Sequence, residues 1–271
     1  MRTKEIILTI VIGTLLSCQT NSDKSELAEF EAPQIINTQF SDSIKSIPYQ
    51  AEFVTEVFPS FVGKFKFQEK IDVNPEKRDT TIYRDFIEEY SRRSLTDSID
   101  INGLELIVDY NNTVRYNRYY QFDSTLYDHY PVYFVNSTKT DKVFYGKDSY
   151  VFGIQEAVDN EKYGKWRPIE GRGFDFCGNG RWGLIIHPQE FILVLMRKYA
   201  GDYKTDMRVR FEVGENIFVS RPFKGSLNES QFSIKDSSYL ERRLQETDGK
   251  AATWLFYGAV PKEEEWAVKT F

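Results

Sequence analysis

Chemistry that relies on cysteine or histidine has few places to sit in this chain of 271 residues, which contains two of each. Cys177 and His187 are the one such pair close in sequence, and a thiolate beside an imidazole is what a nucleophilic hydrolase needs. Ten residues of spacing does not fix hydrogen-bond reach, and a small buried hydrophobe is the commoner role for a lone cysteine. His129, within Tyr127-Asp128-His129-Tyr130, reads as a strand-edge or loop residue. A four-ligand cysteine and histidine zinc site would consume all four residues, so no metal is expected. Glu156, Asp159, Glu170 and Asp175 could supply an acid/base pair, whose separation only the fold decides. Asp109-Tyr110-Asn111 begins like a calcium loop but lacks glycine at the sixth position. Gly178 to Gly183 match G-x-G-x-x-G, yet Pro188 follows too soon for the required helix to open there. These residues assign no catalytic group and no cofactor; the rival reading is a secreted hydrolase using Cys177 and His187 or a carboxylate pair.

Binding chemistry is more concentrated. The stretch Gly164 to Gly183 holds six glycines among Trp166, Arg167, Arg172, Phe174, Arg181 and Trp182. Glycine permits close backbone approach, and arginine with aromatic faces is favoured at recognition hot spots and sugar-stacking platforms. The expectation is a loop whose Trp166, Arg167, Arg172, Phe174, Arg181 and Trp182 meet a protein or glycan partner. The alternative is a crossover whose aromatics plug the end of a core and whose arginines are solvated.

The elements that would hold such a loop are mainly strands. Leu104, Leu106 and Val108 alternate with Glu105, Ile107 and Asp109, and period-two segments return at 132–135, 150–158 and 207–213. Gly214-Glu215 between Val213 and Ile217 predicts a type II′ hairpin over 207–220. Phe191 to Met196 is apolar throughout, as a strand buried on both faces would be. Phe53 to Phe67, broken by Pro59 and Gly63, predicts a bent or paired strand. Ile82, Tyr83, Phe86, Ile87 and Tyr90 recur at helical spacing, with Glu88–Arg92 and Glu89–Arg93 on the other face, predicting a helix over 80–94 capped by Asp79 or Thr80. Ser238 and Glu241 have capping-box spacing ahead of Leu240 and Leu244, with Gly249 as the stop, and 254–260 reads as a final strand. Short strands with turns between them predict a mainly β fold, an antiparallel immunoglobulin-like β-sandwich. Its body spans 99–235, and a small α+β element is expected from 48–98 and 236–271.

The amino terminus has a different character. Arg2 and Lys4 precede an uncharged, mostly apolar run from Ile6 to Leu16, too short for the roughly 20 residues a membrane-spanning helix needs, so 1–17 reads as a signal peptide. Leu15-Leu16-Ser17-Cys18 resembles the lipobox of bacterial lipoproteins. That resemblance implies cleavage before Cys18, a diacylglycerol on its sulfur and a lipid anchor in the cell envelope. Gln19, where aspartate would favour inner-membrane retention in the enteric members of that family, implies the outer membrane. Residues 18–47, polar and without sustained period, read as lipidated cysteine and flexible tether. The aspartate-led triplets at 42–44, 79–81, 97–99 and 123–125 resemble the O-glycosylation signal of Bacteroidota. The Tyr-, Phe- and Asn-rich composition, the lipobox, and the stretch Trp166-Arg167-Pro168-Ile169-Glu170 ahead of Phe176-Cys177-Gly178-Asn179 together look like uncharacterised Bacteroidota envelope lipoproteins with a β-sandwich domain, a resemblance that carries no activity.

Charge narrows the partners. The formal net charge is -6, from 35 basic and 41 acidic residues, which leaves no basic surplus to offset phosphates, so no nucleic acid is expected. Seventeen tyrosines, 21 phenylalanines and four tryptophans supply a large core. The functional expectation is a lipid-anchored, non-enzymatic envelope protein that meets the membrane through its anchor and binds an envelope protein or a glycan.

Overall fold

A computed structural model describes residues 28–36, 40, 43–74, 86–87, 101–117, 122–160, 164–172, 179–259 and 261. Cys18 and most of the segment expected to be a helix over 80–94 lie outside them. The chain is mainly β and its larger sheets are antiparallel, consistent with a β-sandwich. The strands are β1 (Ile35–Ile36), β2 (Val54–Val57), β3 (Ser60–Lys66), β4 (Ile71–Asp72), β5 (Phe86–Ile87), β6 (Leu104–Val108), β7 (Val114–Tyr116), β8 (Tyr127–Asn136) and β9 (Lys142–Lys147). They continue with β10 (Phe152–Asp159), β11 (Lys165–Pro168), β12 (Glu170–Arg172), β13 (Arg181–Ile186), β14 (Glu190–Arg197), β15 (Tyr203–Val213), β16 (Asn216–Val219) and β17 (Phe223–Leu227). Two short helices follow, α1 (Tyr239–Glu246) and α2 (Ala252–Leu255).

One sheet runs β3-β14-β8-β6, with β7 also on β8; a second runs β11-β10-β15-β16, with β17 also on β15; a third runs β5-β13-β9. Between them lies a core of Val132 and Phe134 from β8, Ile192, Val194 and Met196 from β14, Leu184 from β13, and Val209, Phe211 and Val213 from β15. The intervening residues Tyr133, Val135, Phe191, Leu193 and Leu195 point the other way, into a separate cluster with Ile71 and Val114. Period two therefore explains why 191–196 has no polar member: successive side chains enter two different cores.

Several expected elements form as read. β15 turns into β16 through Gly214, whose φ of 61° suits the leading position of a type II′ turn. The 53–67 region splits at Phe58-Pro59 into β2 and β3, and β3 carries a register shift beside Gly63. Ser238 Oγ accepts the Glu241 N–H at 3.1 Å, while Glu241 returns the bond to the Ser237 N–H at 2.6 Å, so α1 starts where expected.

Others differ. Phe86 and Ile87 are not helical but form β5, opposite Leu184 and Gly183; pairing to a sheet edge overrides the local periodicity. The final segment is not a strand. Its buried residues Ala251, Ala252, Leu255, Phe256 and Ala259 recur at helical spacing, with Tyr257 buried beside them, and α2 forms with Trp254 58% exposed. Part of the segment read as tether is ordered: β1 pairs in parallel with β4, and the Phe30 ring meets Tyr133 and Phe191 at centroid distances of 5.4 and 5.2 Å. Phe53 packs with Leu240, Leu244 and Phe256 of the helical end, whereas β3, from the same stretch of chain, belongs to a main sheet.

A buried side chain fastens the corner between sheets. The Asn136 amide donates to the Thr140 and Ile186 carbonyls at 2.9 and 2.8 Å, and its oxygen accepts the Thr138 N–H at 3.0 Å. It joins the end of β8 to the end of β13, the strand preceding β14. Replacement by alanine orphans buried backbone groups, at about 1–3 kcal/mol for each unsatisfied group. Asn136→Ala is expected to lose about 2–4 kcal/mol by urea denaturation; a midpoint within error of wild type would show that the corner does not depend on this side chain.

Candidate functional site

The glycine- and arginine-rich stretch is not one loop. It contributes β11 to β10, β12 to β2, and β13 to β9 and β5. Trp182 is 9% exposed within the main core, and its indole N–H donates to the Asp148 carbonyl at 2.9 Å. A Cβ on Gly146 would lie 2.3 Å from that ring, so this glycine clears space for tryptophan. Arg167 is 4% exposed, paired with Asp159, and donates to the Phe232 and Pro261 carbonyls. Neither Trp182 nor Arg167 presents a surface to a partner.

Of the remaining candidates, Arg172 and Arg181 both act electrostatically on Glu212. Trp166 is half-buried under the Arg208 guanidinium, 4.3 Å from its ring centroid. Arg172 stacks over Phe152 at 4.0 Å and reaches Glu212 at 3.4 Å, while Arg181 is exposed at the start of β13. Phe174 lies outside the described residues. Within β11, period two turns Trp166 and Arg167 to opposite faces.

Two of the candidate carboxylates are held by arginines. Glu156, 1% exposed, accepts Arg208 Nε at 2.5 Å and Arg210 Nε at 3.1 Å, and Asp159 is held by Arg167. Asp175 and Cys177 lie outside the described residues. His187 Nδ1 stands 2.9 Å from Asp141 Oδ1 on the surface. Among the described residues no three His, Cys, Asp or Glu side chains gather as metal ligands. Of the aspartate-led triplets, 123–125 is described: Asp123 Oδ1 accepts the Thr125 N–H at 2.9 Å and leaves Ser124 exposed.

A constellation that the sequence reading did not single out lies where β14 ends, at Arg197, Lys198 and Tyr199. Behind it Glu170 is fully buried. Its carboxylate accepts the Tyr199 hydroxyl and the Gln155 backbone N–H, the latter at 2.6 Å, while Gln155 Nε2 donates to the Arg197 carbonyl at 2.9 Å. Burial pushes the Glu170 carboxyl up to about 7, against the lowering effect of those donors and of the Arg197 charge. The same burial, followed by the adjacent carboxylate, raises the Tyr199 phenol far above its usual range.

Two openings flank this strand end. On one side a groove of about 790 Å³ runs between the sheets. Tyr110, Tyr130, Lys198 and Tyr199 line it from one side, and Lys204, Thr205, Asp206 and Lys224 from the other, with Lys224 Nζ 2.7 Å from Asp206 Oδ1. Burial holds the Tyr110 and Tyr130 phenols up at about 12, so their hydroxyls stay protonated. On the other side a smaller cleft of about 110 Å³ is lined by Glu56, Tyr116, Asn117, Tyr127, His129 and Arg197. His129 is 5% exposed; burial, with the nearby Arg197 charge adding to it, pushes its imidazole down to about 4, so it is neutral at pH 7. The two openings together offer amines, hydroxyls, a guanidinium, the carboxylates Glu56 and Asp206, and aromatic walls. Comparison with protein-family models, curated proteins and solved structures finds no match for this chain.

Two outcomes follow from this geometry. Trp182→Ala is expected to lose about 3–5 kcal/mol of stability in chemical denaturation; unchanged stability together with lost partner binding would restore the recognition role. Glu170 has a folded-state pKa raised above its usual 4.5, so its contribution to stability is greatest below that pH and declines as pH rises towards 7. Glu170→Gln keeps an acceptor for Tyr199 and cannot ionise. Thermal melts across pH 4 to 8 should show a gain over wild type on the order of 3 kcal/mol above pH 7, absent at pH 4; parallel curves would contradict it.

Proposed function

We propose that this chain is a lipid-anchored bacterial envelope protein, moored through Cys18 in the outer membrane, that acts by binding and not by catalysis. The carrying observation is the open groove between the ends of the two sheets, where Tyr110, Tyr130 and Tyr199 meet Lys198, Lys204 and Lys224. Aromatic walls with hydroxyl, amide and amine groups suit a polyhydroxylated ligand, so a glycan is favoured over a flat protein surface. The signal-like segment and the Leu15-Leu16-Ser17-Cys18 motif support the anchor. No helix among the described residues is long and apolar enough to cross a membrane. The sandwich is read as immunoglobulin-like only as two antiparallel layers over a shared core, with the parallel pairs β1–β4 and β12–β2 as additions to that plan.

Each half of the proposal has its own measurement. Cys18→Ala should move the protein from the detergent phase to the aqueous phase and abolish acyl mass on the mature amino terminus; an unaltered partition would remove the anchor. Lys204 and Lys224 are exposed, so replacing both by alanine should leave the melting curve in place. On an array of envelope glycans the double variant should lose about tenfold or more in affinity, and equal binding by the two proteins would remove the groove from the reading.

A further inference from the structure

The guanidinium of Arg197 is unusual among the described arginines in having aromatic walls and no acceptor. It lies 4.3 Å from the Tyr49 ring centroid and 5.6 Å from that of Tyr127, and those two rings meet edge to face at 5.3 Å. Arg167, Arg172, Arg208 and Arg210 each reach a carboxylate. Arg197 forms no ion pair and donates no side-chain hydrogen bond among the described residues, although Glu56 lines the same cleft. Cation–π contact holds the plane of the group while leaving its in-plane N–H donors unspent. The backbone beneath is fixed, since Arg197 pairs with His129 across the β14–β8 ladder.

The surroundings define what could meet those donors. The cleft has about 110 Å³ of space, enough for the head of a small group and far less than the neighbouring groove. His129 adds no charge at neutral pH, because burial keeps it unprotonated and its Nδ1 faces the Tyr127 carbonyl at 2.9 Å. Asn117 spends its amide on the Asp123 and Thr125 carbonyls, at 2.8 and 2.7 Å. Arg197 is thus the sole cation of the lining, opposed by exposed Glu56. Arg197 is exposed and lines the small cavity; a planar fork of donors held there by two rings is matched by a carboxylate or phosphate oxygen pair.

We propose that Arg197, held by Tyr49 and Tyr127, is the anchor of an anion-recognition site in this cleft that takes a carboxylate or phosphate group. The site is independent of the glycan groove and of the lipid anchor. A terminal carboxylate, such as that of an acidic sugar or a peptide end, and a phosphate share the chemistry, and the probe distinguishes them.

The test uses the folded chain from residue 19, titrated with acetate and, separately, with inorganic phosphate at constant ionic strength, following the Arg197 side-chain Nε–H by NMR. Wild type should saturate with at least one probe, and the preferred probe identifies the source. Arg197→Gln should weaken that binding at least tenfold while still unfolding in one cooperative transition, measured by calorimetry. Arg197→Lys, which keeps the charge and loses the fork, should bind more weakly than wild type and lose the preference between probes. The proposal is overturned if neither probe saturates by about 20 mM, if Arg197→Gln binds as wild type does, or if Arg197→Lys matches wild type in affinity and preference. Should Arg197→Gln not fold, the lysine variant alone decides.

Discussion

The β8–β14 ladder is the constraint on which the rest of this structure depends. Residues 129–136 face residues 190–197 one for one, and both strands are buried on both faces along most of their length. Their backbone groups have no water to turn to, so the ladder satisfies them, and the side chains divide between two cores. Val132, Phe134, Ile192 and Val194 build the space between the sheets; Tyr133, Val135, Phe191 and Leu193 build the outer cluster. A slip of one residue would exchange the two sets. Asn136 closes the ladder and passes the chain to the next sheet, and at the opposite end the same two strands release Arg197, Lys198 and Tyr199 towards the openings.

Buried charge is handled in different ways across the molecule. Arg167 with Asp159, and Glu156 with two arginines, are pairs whose hydrogen bonds offset their desolvation. Glu170 has only neutral donors bonded to it, from Tyr199 and Gln155, and feels Arg197 through space. The Arg197 guanidinium sits in the small cleft while its carbonyl bonds Gln155, so one residue joins the buried carboxyl to the solvent-facing side. An anion on Arg197 would screen the charge that helps Glu170 ionise, and the two equilibria are linked reciprocally.

Much of the fold was legible in the sequence because period two is a local signal. The alternation at 104–108 and 207–213, the uninterrupted 191–196 run and the Ser238 cap each state their own burial, and each forms. At 86–87 a helical spacing gave way to an edge pairing, and at 252–259 helical spacing lay unrecognised beneath aromatic residues. The site was less legible. Gly171, one of the glycines that suggested ligand approach, instead clears room for Phe256, a fact carried by a residue distant in sequence. The Glu170, Gln155 and Tyr199 cluster joins three strands' worth of chain, and no spacing announces it. Only the chemical types at 197–199, a cation pair followed by tyrosine after a buried strand, offered a signal.

Phe30 fastens the start of the described chain to the body. Its ring lies against Tyr133 and Phe191, and β1 follows at once and pairs with β4, so two contacts hold 28–36 against the outer cluster. Under the anchoring proposed above, the covalent path from Cys18 to Phe30 bounds the distance between attachment point and body at about 40 Å. One aromatic contact would then cap how far the folded part can stand from its mooring.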